Sequence, residues 1–398
     1  MKKFFLNLLS SFMGAWIALL LFSVVGIIVI VGIAARLGGD DGKPIKLNAG
    51  SVLVLDLKGP IMETQETMDF DLMSIVTGEM DSEPKYLNVL INGIREAKES
   101  SDIKAMYVKC GHPVASPATL NAVRQAISDF RKSGKKVYAY ADNMTLGDYF
   151  VASQADSLFL NPGGMLEISG LGGTTVYMKD FLDKIGVNMN LVKVGTFKSA
   201  AEPYIANQMS APARAQLDTL YGNMWSYIGD AVASGRKKLD SESLNKAADE
   251  FISFKTSEEV LKQGFVDRLV YERQMDDIIG RLVGKAGKDV EFISPETLAG
   301  NAGWGTDYTD KKKVAVLYAT GEIAEHSKSG IDCYRLVPQI TELADDEEVM
   351  ALVLRVNSPG GSVFGSEQIG EALDYFKSKG KPFIVSMGDY AASGGYWI

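Results

Sequence analysis

Three short stretches of the chain carry residue types able to do acyl-transfer chemistry. One is Ala391-Ala392-Ser393-Gly394-Gly395, a serine among small residues. Another is Asn357-Ser358-Pro359-Gly360-Gly361, a turn sequence ending in two glycines. The third is Phe197-Lys198-Ser199, within "LVKVGTFKSAAEPY". A serine hydroxyl is a weak nucleophile until a base takes its proton. The oxyanion formed on attack then needs preorganised N–H donors. Glycines supply such donors without a Cβ in the way. The amides expected to act are those of Gly361 and Gly394, with Gly360 supporting the loop. On its own, Ser-Gly-Gly more often marks a tight turn and a helix cap. Two such features at adjacent strand ends of one unit bring the catalytic reading level with that one.

The base is less plain. The chain has two histidines, so a histidine-based triad or a zinc site has to draw on His112 or His326. His326 lies in "GEIAEHSKSG", where nothing is prepared to orient an imidazole, and His112 lies in the repeat, described below, that has glycine in place of the serine. The other base for serine is a neutral lysine, a form favoured by desolvation. Most lysines here stand in polar runs such as "SGKK" and "DKKK", whereas Lys198 follows an apolar strand sequence and is flanked by Phe197 and small residues. Lys198 is therefore expected to be desolvated, by Phe197 beside it together with the second domain. Glu202, four residues on, would lock the ammonium if it paired with it, and is expected to turn away near Pro203. At this level lysine and histidine both stay open. Cys110 and Cys333 lack metal-ligand spacing and read as two isolated thiols rather than a bridge. No metal and no cofactor are implied.

The elements that must position these residues are legible through an internal repeat. Sliding the segment from Ile103 onto that from Val349, an offset of 246, sets Ala105 on Ala351, Pro113 on Pro359, Ala126 on Ala372, Phe130 on Phe376 and Gly134-Lys135 on Gly380-Lys381. Upstream, "VLVLDLKGPI" echoes "VAVLYATGEI" at a different offset. Repeats define the fold unit. Each unit reads strand, loop, helix, strand, loop, helix. Residues 351–356 are a short β-branched run, and residues 365–379 place Ile369, Leu373 and Phe376 on one helical face. Strands alternating with helices give a mostly parallel α/β sheet, whose ligands bind beyond the strands' carboxyl ends. Both Gly360-Gly361 and Ser393 fall at such ends. In the first copy Ser393 is matched by Gly147 and the glycine pair by Val114-Ala115. Between the copies, residues 211–284 read as largely helical, with Pro212 in a first turn and a capping box at Thr256–Glu259.

Composition narrows the function. With 398 residues, 46% apolar and 23% charged, the chain can fold as two domains. The net charge of −9 argues against a nucleic-acid partner. From Phe4 to Ala35 there is no charged side chain, and residues 13–35 are almost wholly apolar. A bilayer-spanning helix needs about 20 such residues. The run exceeds the roughly 7–15 of a cleavable signal peptide. It reads as an uncleaved anchor. Lys2 and Lys3 precede it, which leaves the N-terminus in the cytoplasm and the bulk outside.

Taken together, "VGTFKSAAEPY", "NSPGGSV" and "GDYAASGGYWI" resemble the signal peptide peptidase A (protease IV) family in its long tandem-repeat form. The resemblance implies an α/β fold of the ClpP/crotonase-like type in two tandem copies, one N-terminal transmembrane helix, and a Ser/Lys dyad. On that pattern Ser393 is the nucleophile and Lys198 the general base. Residues 294–313, rich in Gly, Ser, Thr and Asp, read as a linker, which gives an anchor over 1–40, a first domain with helical tail over 50–293 and a second domain over 314–398. That second domain is expected to be incomplete, because its counterpart of Lys198 falls beyond Ile398. The expected activity is a bacterial inner-membrane serine endopeptidase, facing the extracytoplasmic side, that hydrolyses hydrophobic peptides such as released signal peptides. Its expected partners are those peptides, the lipid bilayer and further copies of itself. The alternatives are a non-catalytic, membrane-anchored oligomeric scaffold and an acyl-CoA enzyme of the crotonase type. An extracytoplasmic location disfavours the last.

Overall fold

A computed structural model describes residues 47–63, 84–301 and 312–398, with scattered positions between 3 and 26. Residues 1–46 with 300–302 form one compact unit, and residues 47–299 with 303–398 another. The expected span over residues 13–35 lies mostly outside the described residues. Among the described residues no helix is long and apolar enough to cross a membrane.

The larger unit holds two parallel layers. The first begins with β1 (Ser51–Asp56), β2 (Gly59–Met62), β3 (Lys85–Tyr86) and α1 (Leu87–Glu99). It continues through β4 (Ile103–Lys109), β5 (Pro113–Val114), α2 (Pro117–Arg131), β6 (Lys136–Ala141), α3 (Leu146–Ala152) and β7 (Ser157–Leu160). A helical return comes next, with α4 (Lys179–Lys184), α5 (Glu202–Ile205), α6 (Ala211–Gly235), β8 (Arg268–Leu269), α7 (Met275–Val283) and β9 (Phe292–Ile293). The six-stranded sheet runs β8-β7-β6-β4-β1-β9, parallel throughout. Its strands are apolar on both faces because both are covered. On one face Leu53, Met106 and Val108 meet Ile94, Val123, Ile127 and Phe130 of α1 and α2. On the other, Val52, Ala105 and Tyr107 meet Met275, Ile278 and Ile279 of α7.

The second layer comprises β10 (Lys313–Thr320), β11 (Ile323–Ala324), β12 (Ile331–Asp332), α8 (Cys333–Asp345), β13 (Val349–Ser358), α9 (Val363–Ser378), β14 (Phe383–Ala391) and α10 (Gly394–Trp397). Its sheet runs β10-β13-β14. Leu352, Leu354 and Val356 pack against Leu336, Ile340, Ile369, Leu373 and Phe376. The opposite face leaves Val314, Val316 and Ile384 more than half exposed.

The two layers correspond in register. β1 pairs with β4 as Val52↔Ala105, and β10 pairs with β13 as Val314↔Ala351. Each carries an irregularity one residue earlier, after Ser51 and after Lys313. The next pairs, Met106↔Val137 and Leu352↔Phe383, are also related by the offset of 246. So are α1 and α8, end for end.

Part of the stretch expected as a linker is ordered into an element, and residues 302–311 lie outside the described residues. Residues Pro295–Asn301 are helical, with Leu298 and Ala299 buried, and β9 just before them adds to the edge of β1. Burial of those two apolar side chains overrides a Gly- and Ser-rich composition. Both cysteines are free thiols, Cys333 buried and Cys110 partly so.

Candidate active site

β13 and β14 deliver the two glycine-bearing loops to one place. Ser393 stands between β14 and α10 with φ 50° and ψ −123°. A non-glycine residue there is strained by about 1–3 kcal/mol. Such strain is characteristic of a sharp strand-to-turn-to-helix serine, whose hydroxyl it presents to solvent. Ser393 is exposed, while Gly394 and Gly395 behind it are buried. The turn is held from β13: Ala392 N–H donates to the Ser358 carbonyl at 3.1 Å, and Gly360 N–H donates to Ser358 Oγ at 3.1 Å.

Gly360 and Gly361 are required by close approach. Gly360 has φ +101°, and a Cβ there would stand 2.7 Å from both Ser393 Cβ and Gly394 N. Gly361 has φ +153°, and a Cβ on it would stand 2.1 Å from the Ile323 carbonyl oxygen. That carbonyl is engaged on the next residue: Ser362 N–H donates to it at 2.8 Å, and Ile323 N–H donates to the Gly360 carbonyl at 2.9 Å. The Gly361 and Gly394 amides find no acceptor among the described residues. They are neighbours, since a Cβ on Gly394 would lie 3.3 Å from Gly361 N. Two free amides beside a strained serine make a cradle able to hold an oxyanion.

Lys198 makes no hydrogen bond with Ser393. It is exposed, on an irregular segment between α4 and α5, and has no hydrogen bond or ion pair among the described residues. Phe197, expected to bury it, is itself 60% exposed. The desolvation expected from local sequence is absent because α4 buries no residue and this arm packs little against the layer. Val176, Phe181, Ile185, Val192 and Val194 along it are exposed as well. Glu202 turns away from the lysine, as expected. Its carboxylate accepts from Ser210 Oγ at 2.7 Å and from Ser210 N–H at 3.2 Å, which holds it below the usual carboxylate range. Lys193 lies 4.0 Å off.

Neither histidine makes a hydrogen bond with Ser393 among the described residues. The His326 ring lies against Tyr334, centroids 4.9 Å apart. His112 is more than half exposed, its Nδ1 3.7 Å from Asp148. Among the described residues no cluster of His, Cys, Asp or Glu could hold a metal ion.

Sequence reasoning missed the groups that hold β14. Arg355 on β13 donates to both Glu63 carboxylate oxygens, at 3.0 and 2.6 Å, and to Ser386 Oγ and the Met387 carbonyl of β14. Thr119 of α2 donates to Asp389 through its N–H and its hydroxyl, each at 3.0 Å. These partners lie hundreds of residues apart, and neither pair has a local signature.

The site is thus that of a parallel α/β protein presenting a serine at a strand end with two free amides beside it. Residues 129–284 match the profile of Peptidase family S49. The chain is 33% identical over 380 residues to Protease 4 of Haemophilus influenzae, covering 89% of this chain and 60% of that one. It is 30% identical over 395 residues to Protease 4 of Salmonella typhi, covering 95% and 62% respectively. It is 23% identical to the chloroplastic serine protease SPPA of Arabidopsis thaliana, covering 89% and 51%. The chain is thus similar to the Protease 4 and SPPA serine proteases, through a region that matches peptidase family S49. It spans about three-fifths of the length of the two bacterial Protease 4 sequences.

Proposed function

We propose that this protein is a membrane-anchored serine endopeptidase acting on hydrophobic peptides, with Ser393 as nucleophile and Lys198 as general base. The observation that carries the reading is the strained Ser393 turn beside the unpartnered Gly361 and Gly394 amides. Ser393 Oγ attacks the peptide carbonyl as Lys198 Nζ takes its proton. The two amides hold the oxyanion. The proton passes to the leaving amine, and water then hydrolyses the acyl-enzyme. The register correspondence between the layers supports a tandem duplication, in which the second copy kept or gained the serine site.

Lys198 acts only once the arm bearing it docks, which also favours its neutral form by desolvation. The exposed apolar residues of that arm support docking onto a neighbouring copy in a homo-oligomer. The apolar run over residues 13–35, preceded by lysines, supports an anchor with the site outside the cytoplasm. The separation of Lys198 from any partner also favours a second reading, a non-catalytic oligomeric scaffold. A serine-reactive fluorophosphonate separates the two. Labelling lost in Ser393→Ala, with turnover lost in Lys198→Ala and in Lys198→Arg, supports the dyad, since a guanidinium does not shed its proton. Full activity in Lys198→Arg overturns it.

A further inference from the structure

The strand that ends in Ser393 departs from its counterpart in the first layer. β13 and β14 pair as Val356↔Met387 and then as Ser358↔Ala391, so β14 takes four steps while β13 takes two. The β4–β6 ladder ends at Lys109↔Tyr140, short of the positions that match this shift, so only β14 runs on through it. The extra residues bulge out at Gly388, Asp389 and Tyr390, immediately before the serine turn. A bulge next to a functional group re-aims the chain beyond it.

Two side chains of the first layer reach this bulge, Glu63 through Arg355 and Thr119 directly. Before it, the Arg355 guanidinium reaches β14 at Ser386 and Met387 with one nitrogen and gives its fork to Glu63 with the others. Glu63 is 7% exposed, and Gly388 passes close enough that a Cβ would lie 3.1 Å from its carboxylate. A bidentate pair of this kind fixes direction as well as distance. Within the bulge, Asn357 Oδ1 accepts from Tyr390 N–H, and Asp389 accepts from Thr119. Thr119 is 1% exposed and stands in the first turn of α2. Ser116, the residue placed to cap α2, makes no cap hydrogen bond, and its Oγ is buried without a partner. Asp389 therefore caps α2 from 270 residues away. In the second layer the matching helix, α9, is capped locally, by Ser362 on Gly365 N–H. The negative charge also suits the helix N-terminus.

We propose that Glu63 and Thr119 are positioning residues for Ser393: through Arg355 and Asp389 they hold the β14 bulge, and so set the turn on which the serine stands. The first layer, which lacks the serine, thereby fixes the geometry of the second. This rests on the reading of Ser393 as nucleophile, and the test keeps the two apart.

The intact chain in detergent is compared with Glu63→Gln, Thr119→Val and Thr119→Ser by hydrogen exchange across residues 386–396, by fluorophosphonate labelling, and by kcat and KM on an apolar peptide. Thr119→Val keeps the shape and the backbone N–H, so it folds even where Glu63→Gln does not. Losing one hydrogen bond to a charged group corresponds to about tenfold. Thr119→Val is expected to raise exchange in that segment about tenfold and lower kcat similarly, with KM little changed. Thr119→Ser restores both. Glu63→Gln acts in the same direction. Unchanged exchange over residues 386–396 in both Thr119→Val and Glu63→Gln overturns the proposal. Raised exchange in these variants of a chain whose wild type takes no label leaves the positioning standing and removes the peptidase reading.

Discussion

At equivalent strand ends the two layers treat their backbone N–H donors in opposite ways. In the first layer Asp148 stands where the second layer has Gly394. Its carboxylate is fully buried and accepts from the amides of Gly111 and His112 and from the amide and hydroxyl of Thr145. Thr145 in return caps α3 in a capping box, and the helix starts without strain. In the second layer no side chain enters, the amides of Gly361 and Gly394 stay free, and the strain sits at Ser393. In the first it sits at His112, with φ 64°. The scaffold gathers N–H donors at this point in either case. A carboxylate on the chain makes the turn a structural knot; a glycine leaves the donors open to an outside anion.

The sharpest way to break that contrast is to write the first turn into the second. Gly394→Asp sets a carboxylate beside Gly361 N–H, since a Cβ on Gly394 lies 3.3 Å from that nitrogen. Removing one oxyanion donor already costs about a hundredfold to a thousandfold in kcat. Labelling of Ser393 by a fluorophosphonate is expected to fall at least that far while far-UV circular dichroism is retained. Labelling at the wild-type rate removes the two amides from any oxyanion role.

Gly360→Ala tests the close approach rather than the donors. The added methyl meets Ser393 Cβ and Gly394 N at 2.7 Å, and φ is +101°, so the serine turn has to shift. A misplacement of about 1 Å costs about a hundredfold in rate. Steady-state turnover should show that loss mainly in kcat. In the first layer, Val114→Ala, at the matching position, should leave turnover unaltered.

The reverse change acts on stability. Asp148→Ala leaves its donors without their acceptor inside a buried turn, a cost of about 2–4 kcal/mol. Urea denaturation monitored by tryptophan fluorescence should show the midpoint falling accordingly. A midpoint within error of the wild type contradicts the view that Asp148 knots this turn.

How much of this is legible in the sequence depends on the range of the interactions. The offset of 246 between the layers can be read because strand registers and helix faces are local patterns: Val123, Ile127 and Phe130 return as Ile369, Leu373 and Phe376. The serine turn and its glycines are legible because their residue types admit few backbone conformations. Lys198 stands apart from Glu202, as its sequence suggests, but is not desolvated by Phe197. Whether Phe197 covers it depends on what the arm packs against, which no neighbouring residue encodes. Asp148 and Asp389 escape sequence reasoning for the same reason, since an aspartate gives no hint of a partner 37 or 270 residues away.

The smallest effect concerns the edge of the first sheet, which has no counterpart among the described strands of the second. β8 joins β7 through Asp267, whose carboxylate accepts from Leu158 N–H at 2.8 Å and from both terminal nitrogens of Arg236, at 2.8 and 2.9 Å. Burial pushes this carboxyl up, but the Arg236 and Leu158 hydrogen bonds outweigh it and hold it below the ordinary carboxylate range. A group depressed in the folded state stabilises at pH values above its unfolded pKa, near 3.9, and loses that contribution as pH falls through the lower folded value. Asp267→Asn keeps the shape and one acceptor oxygen but removes the charge. It should cost about 1–2 kcal/mol at pH 7, scaled to the loss of charge-assisted bonds at a partly exposed site. The urea midpoints of wild type and Asp267→Asn should then converge as pH is lowered below about 4, because protonation removes the same charge from the wild type. A gap that stays constant into acid would mean that the carboxylate's charge does not hold this edge.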